Sequence, residues 1–305
     1  MLNEDYEVLD TKTGEIITDK VNEQLKREEE RRKKANEYFR EQEAKRALHK
    51  GSSLNKHSDD LGGFVWANFT PLVAFKEQYP GLIESHYARL MYMSTFLKHD
   101  SEQLKTDNNR PIKKKEIRGM LGLTETPAKK FIKEVTAHGL LSFDDENNVY
   151  IHNLFTKGRS DSRGYTRTRM YVQTVRKLYE LVDGRNVKKL GVIFSVIPFI
   201  DFRLNILAHN ADKGVKDSSE LIIMTMADLA KELGFSDARR LKETLHSFKI
   251  DGQRIVHTAN DTKGKSIIIV NPKFVYAGNH EDFEKLNEFD GLTLSGLFFN
   301  NKRKK

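Results

Sequence analysis

Apolar and polar residues follow the same order along two stretches of this chain. Each stretch begins with an apolar helical pattern, over Tyr87–Leu97 in the first and Lys189–Ile200 in the second. A short helix follows, with the sequence EIRGMLGL at 116–123 and DLAKELGF at 228–235. The core positions of the next helix are spaced four residues apart: Phe131 and Val135 in the first stretch, Leu241 and Leu245 in the second. This spacing predicts three helices in each stretch.

Two strand-like runs close each stretch. They are LLSF (140–143) and VYIH (149–152) in the first, and RIVH (254–257) and SIIIV (266–270) in the second. A helix, a helix-turn-helix and a two-stranded hairpin, in that order, are typical of a winged-helix domain. We therefore predict a mostly α fold with small β wings (α+β), built from two winged helix-turn-helix domains.

A charged helical extension precedes the first winged helix. Residues 20–50 carry acidic and basic side chains at i,i+4 spacing, such as Glu29 and Lys33, which favours a helix. Its apolar positions are too sparse for a heptad, so a solvated helix and a coiled-coil or partner helix both stay open. We predict that residues 1–63 form a small hairpin, the charged helix and a linker. The first winged helix follows at 64–156, and a basic linker with a connecting helix at 157–189. The second winged helix spans 190–278, and a C-terminal segment with a basic tail spans 279–305.

The net charge of +8 favours an acidic partner, with nucleic acid first and an anionic membrane second. The longest apolar run, LGVIFSVIPFI at 190–200, is too short to cross a bilayer. The chain contains no cysteine, which excludes disulfides, Cys-based zinc sites and cysteine catalysis and favours a cytoplasmic location. We expect double-stranded DNA as the partner and no membrane.

Most of the net positive charge lies between the two stretches. Residues 157–189 hold ten basic and three acidic side chains. Arg163, Arg167 and Arg169 fall in a stretch that contains Gly, Ser and Thr, so we expect this stretch to be loosely held in the free protein and to follow DNA phosphates or enter a minor groove. An amphipathic helix is predicted next, over Met170–Val182, with ordinary core packing as its role.

The last helix of each helix-turn-helix carries basic residues directly before its first core residue. A recognition helix enters the major groove by its N-terminal part, where Lys and Arg contact phosphates or guanine. In the first copy we expect Thr126 to cap the helix and Lys129, Lys130 and Lys133 to face the DNA. In the second, Ser236 is the expected cap, and Arg239, Arg240 and Lys242 are the exposed set. Because arginine binds guanine with two hydrogen bonds, we expect more base recognition from the second copy.

The two wings differ in charge. The tip of the first is DDENN at 144–148, and its carboxylates predict repulsion from phosphate. A solvated turn and a contact with a basic partner both stay open for it. The tip of the second carries Lys263 and Lys265 on either side of Gly264, which favours contact with a phosphate or the minor groove.

These patterns resemble the winged-helix proteins of Firmicute phages and plasmids, including RepL-type replication initiators and MarR-like regulators. The resemblance covers about Phe64 to Gly278 and rests on KKKEIRGMLGLTETPAKKFIKEVTAHGLL, on TRTRMYVQTVRKLYELV, and on MADLAKELGF followed by RRLKETL. It implies sequence-specific binding of double-stranded DNA, in replication initiation or in transcription regulation. The turn before the second recognition helix is expected to be two residues shorter than in the first copy.

No catalytic set emerges from the sequence. The histidines lack metal-ligand spacing on a common helix, there is no His-x-His motif, and no serine stands in a Gly-x-Ser-x-Gly turn. We therefore expect no enzymatic activity, no metal and no cofactor. The alternative function is an adaptor whose winged helices dock a polymerase, a helicase or another protein, or which self-associates through its N-terminal helix or C-terminal segment.

Overall fold

The computed structural model describes residues 60–158, 166–184, 186–201, 204–211, 220–260 and 266–278, together with Gly14 and parts of the charged helix at 23–37. Two compact units divide the chain, Met1–Asn55 and Lys56–Lys305. In the first unit the described residues between 23 and 37 are helical and exposed, as predicted. The predicted ion pair between Lys33 and Glu29 is present at 3.3 Å. The hairpin predicted at 1–19 and the segment 279–305 lie outside the described residues.

The larger unit is mixed α and β. Its described helices are α1 (Phe75–Gln78), α2 (Glu84–Ser94), α3 (Ile117–Met120), α4 (Glu125–Ala137), α5 (Val172–Glu180), α6 (Val187–Phe194), α7 (Met226–Glu232) and α8 (Ala238–His246). Its described strands are β1 (Phe64–Phe69), β2 (Leu141–Phe143), β3 (Val149–Ile151), β4 (Phe155–Thr156), β5 (Thr166–Tyr171), β6 (Lys249–Ile250), β7 (Gln253–Arg254), β8 (Val256–Asn260), β9 (Ser266–Val270) and β10 (Val275–Tyr276). Short 3-10 turns stand at Lys114–Glu116 and Ile197–Phe199.

The internal repeat that the sequence predicts is present in the order of these elements. The first copy comprises α2, α3, α4 and the antiparallel hairpin β2–β3, and the second comprises α6, α7, α8 and the hairpin β8–β9. The turn after α3 and the turn after α7 have the same geometry. Gly122 and Gly234 occupy them with φ of 62° and 72°, a left-handed conformation that favours glycine. The shared sequence signature LGL/LGF is therefore a helix end.

Both copies also begin their short helix with the same backbone cap. The amide of Lys113 donates to Glu116 at 2.8 Å, and the amide of Thr225 donates to Asp228 at 2.8 Å. Hydrogen bonds from Arg110 and from the Lys113 amide lower the pKa of Glu116 to about 2. Hydrogen bonds from the side chain and amide of Thr225 lower the pKa of Asp228 to about 2. Each carboxylate thus satisfies backbone donors at the start of its helix.

A four-stranded antiparallel sheet, in the order β10-β5-β1-β4, adds more sheet than the small wings that the sequence predicted. Its strands come from segments that the prediction left as loop or linker. β5 occupies part of the predicted basic linker, and the following helix begins at Val172 instead of Met170. Opposite each other on the core side lie Val65 and Met170, both fully buried. The prediction missed β5 because polar Thr and Arg, instead of apolar residues, alternate along it.

The two copies meet through their first helices, α2 and α6. A Cβ atom at Gly191 on α6 would collide with the backbone carbonyl group of Glu84 on α2, so the helices approach closely there. Beside this contact the rings of Phe75 and Phe194 stack, with centroids 5.0 Å apart. One continuous hydrophobic core includes residues from both copies. The boundaries proposed at 156 and 190 stay a prediction within this single unit.

Candidate nucleic-acid interface

Helix α4 presents a basic surface opposite a buried apolar one. Phe131 and Val135 are fully buried in the core. Lys129, Lys130 and Lys133 are exposed, as predicted, with 75% of the Lys129 side chain and 68% of the Lys130 side chain accessible. The amphipathic spacing of the helix therefore places these ammonium groups on the surface, where an external ligand can reach them.

The start of α4 differs from the prediction. Its N-cap is Thr124, whose side chain makes no capping hydrogen bond, and Thr126 lies inside the first turn of the helix. The capping role predicted for Thr126 is therefore wrong, although its side chain is exposed on the same turn. The connection before α4 is also no longer than the connection before α8. The extra residues of the first copy lengthen the helix itself, because a helix can begin at Glu125 ahead of Pro127.

Helix α8 has the same division of faces. Leu241 and Leu245 are fully buried, whereas Arg239, Arg240 and Lys242 are exposed, as predicted. The Arg239 side chain is 82% accessible. Asp237, instead of the predicted Ser236, caps the helix by accepting from the amide of Arg239 at 2.8 Å. An aspartate caps at least as well as a serine because its carboxylate accepts the same backbone bond.

Acidic neighbours restrain the two basic pairs to different degrees. Lys129 lies 2.6 Å from Glu125, and Lys130 lies 3.8 Å from Glu134. Arg239 approaches Asp237 and Glu243 only to 4.0 Å. Exposed pairs of this kind are worth at most about 1 kcal/mol, so phosphate can replace the carboxylates. When the arginines of α8 turn toward a ligand, they therefore lose less ion-pair energy than the lysines of α4 do.

A cleft of about 450 Å³ lies beside the start of α8. Arg240 and Lys189 line it from two different helices, together with Asp237 and Glu243. The sequence analysis did not assign Lys189 to the interface, because the residue is distant in sequence from the recognition helix. The packing of α6 against α8 brings it there.

The structure places two of the predicted linker arginines in strand β5. Arg169 is only 8% exposed and donates from Nη1 to the carbonyl of Gly278 at 2.8 Å. The guanidinium carbon of Arg167 lies 4.4 Å from the ring centroid of Trp66. The prediction of a loosely held stretch is therefore wrong for 166–169, because strand pairing and aromatic contacts hold it. Arg163, Lys263 and Lys265 lie outside the described residues.

Replacing Arg169 with alanine should consequently affect stability and leave DNA contacts unchanged. The change removes a buried hydrogen bond from a charged donor, and this loss costs about 1.5–3 kcal/mol. It also removes the contact between the guanidinium group and the Trp66 ring, whose centroid lies 5.5 Å away. We expect a lower melting temperature and an unaltered salt dependence of DNA affinity. Arg31→Ala, on the exposed N-terminal helix, is the control and should change neither. A lower salt slope with full stability for Arg169→Ala would contradict this assignment.

His86 on α2 connects the core to helix α4. The side chain is 2% exposed, its Nε2 lies 3.2 Å from Glu134 Oε2, and its ring lies 5.5 Å from that of Phe131. Burial, aided by the nearby cations Arg89 and Lys130, lowers the pKa of His86 to about 4 against the opposing effect of Glu134. At neutral pH the neutral imidazole therefore lies against the Glu134 carboxylate, beside the helix that carries the lysines.

This histidine should make stability depend on pH in a defined window. In the unfolded chain the pKa is near 6.5, so below that value the unfolded state binds a proton that the folded state binds only near pH 4. The free energy of unfolding should fall by about 2 kcal/mol between pH 7 and pH 5. Chemical denaturation at the two pH values measures this loss, and His86→Gln should remove it. A variant that keeps the wild-type pH dependence would exclude His86 as its source.

A row of three polar side chains crosses the outer face of the first hairpin, and the sequence analysis missed it. Hydrogen bonds join Ser142 Oγ to His152 Nε2 at 2.6 Å and His152 Nδ1 to Glu102 at 2.8 Å. A serine, its base and an orienting carboxylate are joined in the same order in hydrolases. Hydrolysis also requires oxyanion donors and a substrate cleft, and a hydrogen-bonded row of side chains alone supplies neither. We assign the row to cross-strand stabilisation of the hairpin.

Compared with known proteins, the chain matches no family model, no curated protein and no solved structure. Every helix within the described ranges is too short or too polar to span a bilayer. Over the same residues, no three His, Asp or Glu side chains gather as a metal site would require. The candidate interface therefore rests on the geometry of α4, α8 and their surroundings.

Proposed function

We propose that the protein binds double-stranded DNA in a sequence-specific manner, with each copy acting as a winged helix-turn-helix. The observation that carries the proposal is the repeated placement of basic side chains. In both copies the helix after the left-handed glycine turn buries two large apolar residues four positions apart and exposes a basic pair directly before the first of them. The same arrangement in both copies favours a surface that binds one kind of ligand over two unrelated solvated surfaces. Phosphate is the complementary ligand for such a surface in a protein of net charge +8.

The order of the elements supports the winged-helix assignment. A short helix, a tight turn and a second helix precede a two-stranded hairpin in each copy, as in DNA-binding helix-turn-helix proteins. The helix that would enter the major groove is α4 in one copy and α8 in the other. Because both belong to one compact unit, we expect a bipartite or repeated DNA site.

The biological role that fits this activity is replication initiation or transcription regulation of the phage or plasmid type, in the cytoplasm. Both roles require one protein to select a short site among a large excess of other DNA. The location of the selected site distinguishes an origin from a promoter.

Selection of binding sites from random duplexes tests the proposal. The full chain is incubated with a library of double-stranded oligonucleotides, and bound molecules are amplified and sequenced over several rounds. We expect enrichment of a site with two conserved parts. Binding without enrichment of any sequence would contradict sequence-specific recognition, and an absence of binding at low salt would contradict the DNA proposal as a whole.

A further inference from the structure

We infer that the first copy holds the DNA backbone through a cleft formed by three consecutive lysines and the tip of its own wing. This inference rests on the proposed function and adds a contact surface to it. The lysine cleft is lined by Lys113, Lys114, Lys115, Glu146 and Asn147, and its volume is about 510 Å³. It lies between the start of α3 and the hairpin β2–β3.

Backbone contacts fix the lysines against the wing. Lys113 pairs with Asn148 in an antiparallel bridge, and the amide of Lys114 donates to the carbonyl of Asn147 at 2.8 Å. The side chains of Lys114 and Lys115 are exposed. Lys114 Nζ stands 4.6 Å from the centroid of the Phe143 ring, which orients its side chain over the hairpin. The lysines of the cleft thus stand on a backbone segment that is hydrogen-bonded to the wing.

The first acidic residue of the wing tip, Asp144, is engaged within the wing. Asp144 accepts four hydrogen bonds: from the amides of Glu146 and Asn148 at 3.0 and 2.8 Å, from the Asn148 side chain at 2.7 Å and from the Tyr150 hydroxyl at 3.0 Å. Although desolvation opposes the effect, these bonds hold the pKa of Asp144 below its usual value. The Asp144 carboxylate therefore organises the turn.

The third acidic residue of the tip, Glu146, is paired with a lysine of the cleft. Lys113 Nζ donates to the carbonyl oxygen of Glu146 at 3.1 Å and lies 3.3 Å from its carboxylate. Three lysines line the cleft against this single carboxylate, which leaves Lys114 and Lys115 for another anion. The repulsion from phosphate that the DDENN sequence predicts is thereby offset at this side of the tip.

Comparison with the second copy indicates that the lysines are not needed for folding. The cap formed by Lys113 and Glu116 is repeated by Thr225 and Asp228 with the same amide hydrogen bond. When these caps are aligned, Met226 and Ala227 occupy the places of Lys114 and Lys115. The second copy builds the same element without positive charge. The lysines are an addition to the first copy, and a phosphate backbone is the ligand that fits them.

The test replaces these lysines with the residues of the second copy, Lys114→Met together with Lys115→Ala, in the full chain. Affinity for the selected duplex is measured between low and moderate salt. Each lost phosphate contact lowers the slope of log affinity against log salt by about 0.9, so we expect the slope to fall by roughly two and the affinity at moderate salt to fall about tenfold. Melting temperature should match the wild type. If it does not, Lys114→Gln with Lys115→Gln gives the same comparison.

A charge-matched control is Lys26→Met with Lys33→Ala on the N-terminal helix, to which the inference assigns no DNA contact. It should keep the wild-type slope. An unchanged slope in the cleft variant, or an equal loss in both variants, would overturn the inference. If the wild type binds the duplex and the cleft variant keeps the wild-type slope, the proposed function stands and the cleft assignment is wrong. If the wild type binds no duplex, the proposed function itself fails.

Discussion

Replacing Arg239 and Arg240 with alanine should weaken binding to the selected site more than any other surface change and should relax its sequence preference. Both side chains are exposed at the start of α8, where a recognition helix contacts base edges. A contact in which arginine makes two hydrogen bonds to guanine discriminates by about 1–3 kcal/mol, which is roughly 5- to 160-fold in affinity for each change. Competition between the selected duplex and single-base variants measures which positions lose their preference.

The lysines of α4 are the matched comparison for these arginines. Lys129→Ala and Lys130→Ala also remove one charge each from the exposed face of a helix, directly before its core residue Phe131. Lysine acts as a point charge and already lies near Glu125 and Glu134, so we expect a smaller loss that is similar for all sequences. If the lysine changes alter base preference and the arginine changes do not, the assigned roles of the two helices are reversed.

Replacing Gly191 with alanine should cause the largest loss of stability among single changes outside the interface. The added Cβ would collide with the backbone of Glu84, and a backbone segment between two packed helices cannot turn aside as a flexible side chain can. Overpacking costs about 1–3 kcal/mol or more, which exceeds the 0.5–1 kcal/mol that alanine gains over glycine inside a helix. Since α2 contacts α4 and α6 packs against α8, which are the proposed recognition helices, we also expect weaker binding to the proposed DNA site.

Gly119→Ala is the control for this change. Gly119 also lies inside a helix, α3, but a Cβ there would meet no atom within 4 Å. Its substitution should leave the protein as stable or slightly more stable. Urea denaturation of the two variants separates helix propensity from the close approach of the helices. Equal stability of Gly191→Ala and the wild type would show that α2 and α6 do not pack as closely as described.

The helices of both copies could be predicted because their apolar residues recur every three or four positions and because glycine ends the short helices. The residues at which helices and strands begin were harder to predict. A cap depends on which side chain reaches the backbone, and Asp237 reaches it where Ser236 was expected. Strand β5 was missed because its core-facing residues include Thr166 and Thr168, which differ little from a polar linker.

Contacts between distant parts of the chain could not be predicted from local patterns. Nothing in the sequence around Gly191 indicates that Glu84 approaches it, and nothing around His86 indicates Glu134. The same holds for the tip of the first wing. The sequence shows its three carboxylates, but it does not show the four hydrogen bonds that Asp144 accepts. The basic faces of α4 and α8 were predictable because they follow from helical spacing alone.

The salt dependence of binding tests the central claim, that exposed basic side chains of both copies hold a DNA duplex. The affinity of the wild-type protein for its selected duplex is measured by fluorescence anisotropy at several salt concentrations. Six or more lysine and arginine contacts would give a linear fall of log affinity with log salt and a slope of about −5 or steeper. A slope close to zero over the same range would contradict the account, because binding would not depend on phosphate contacts.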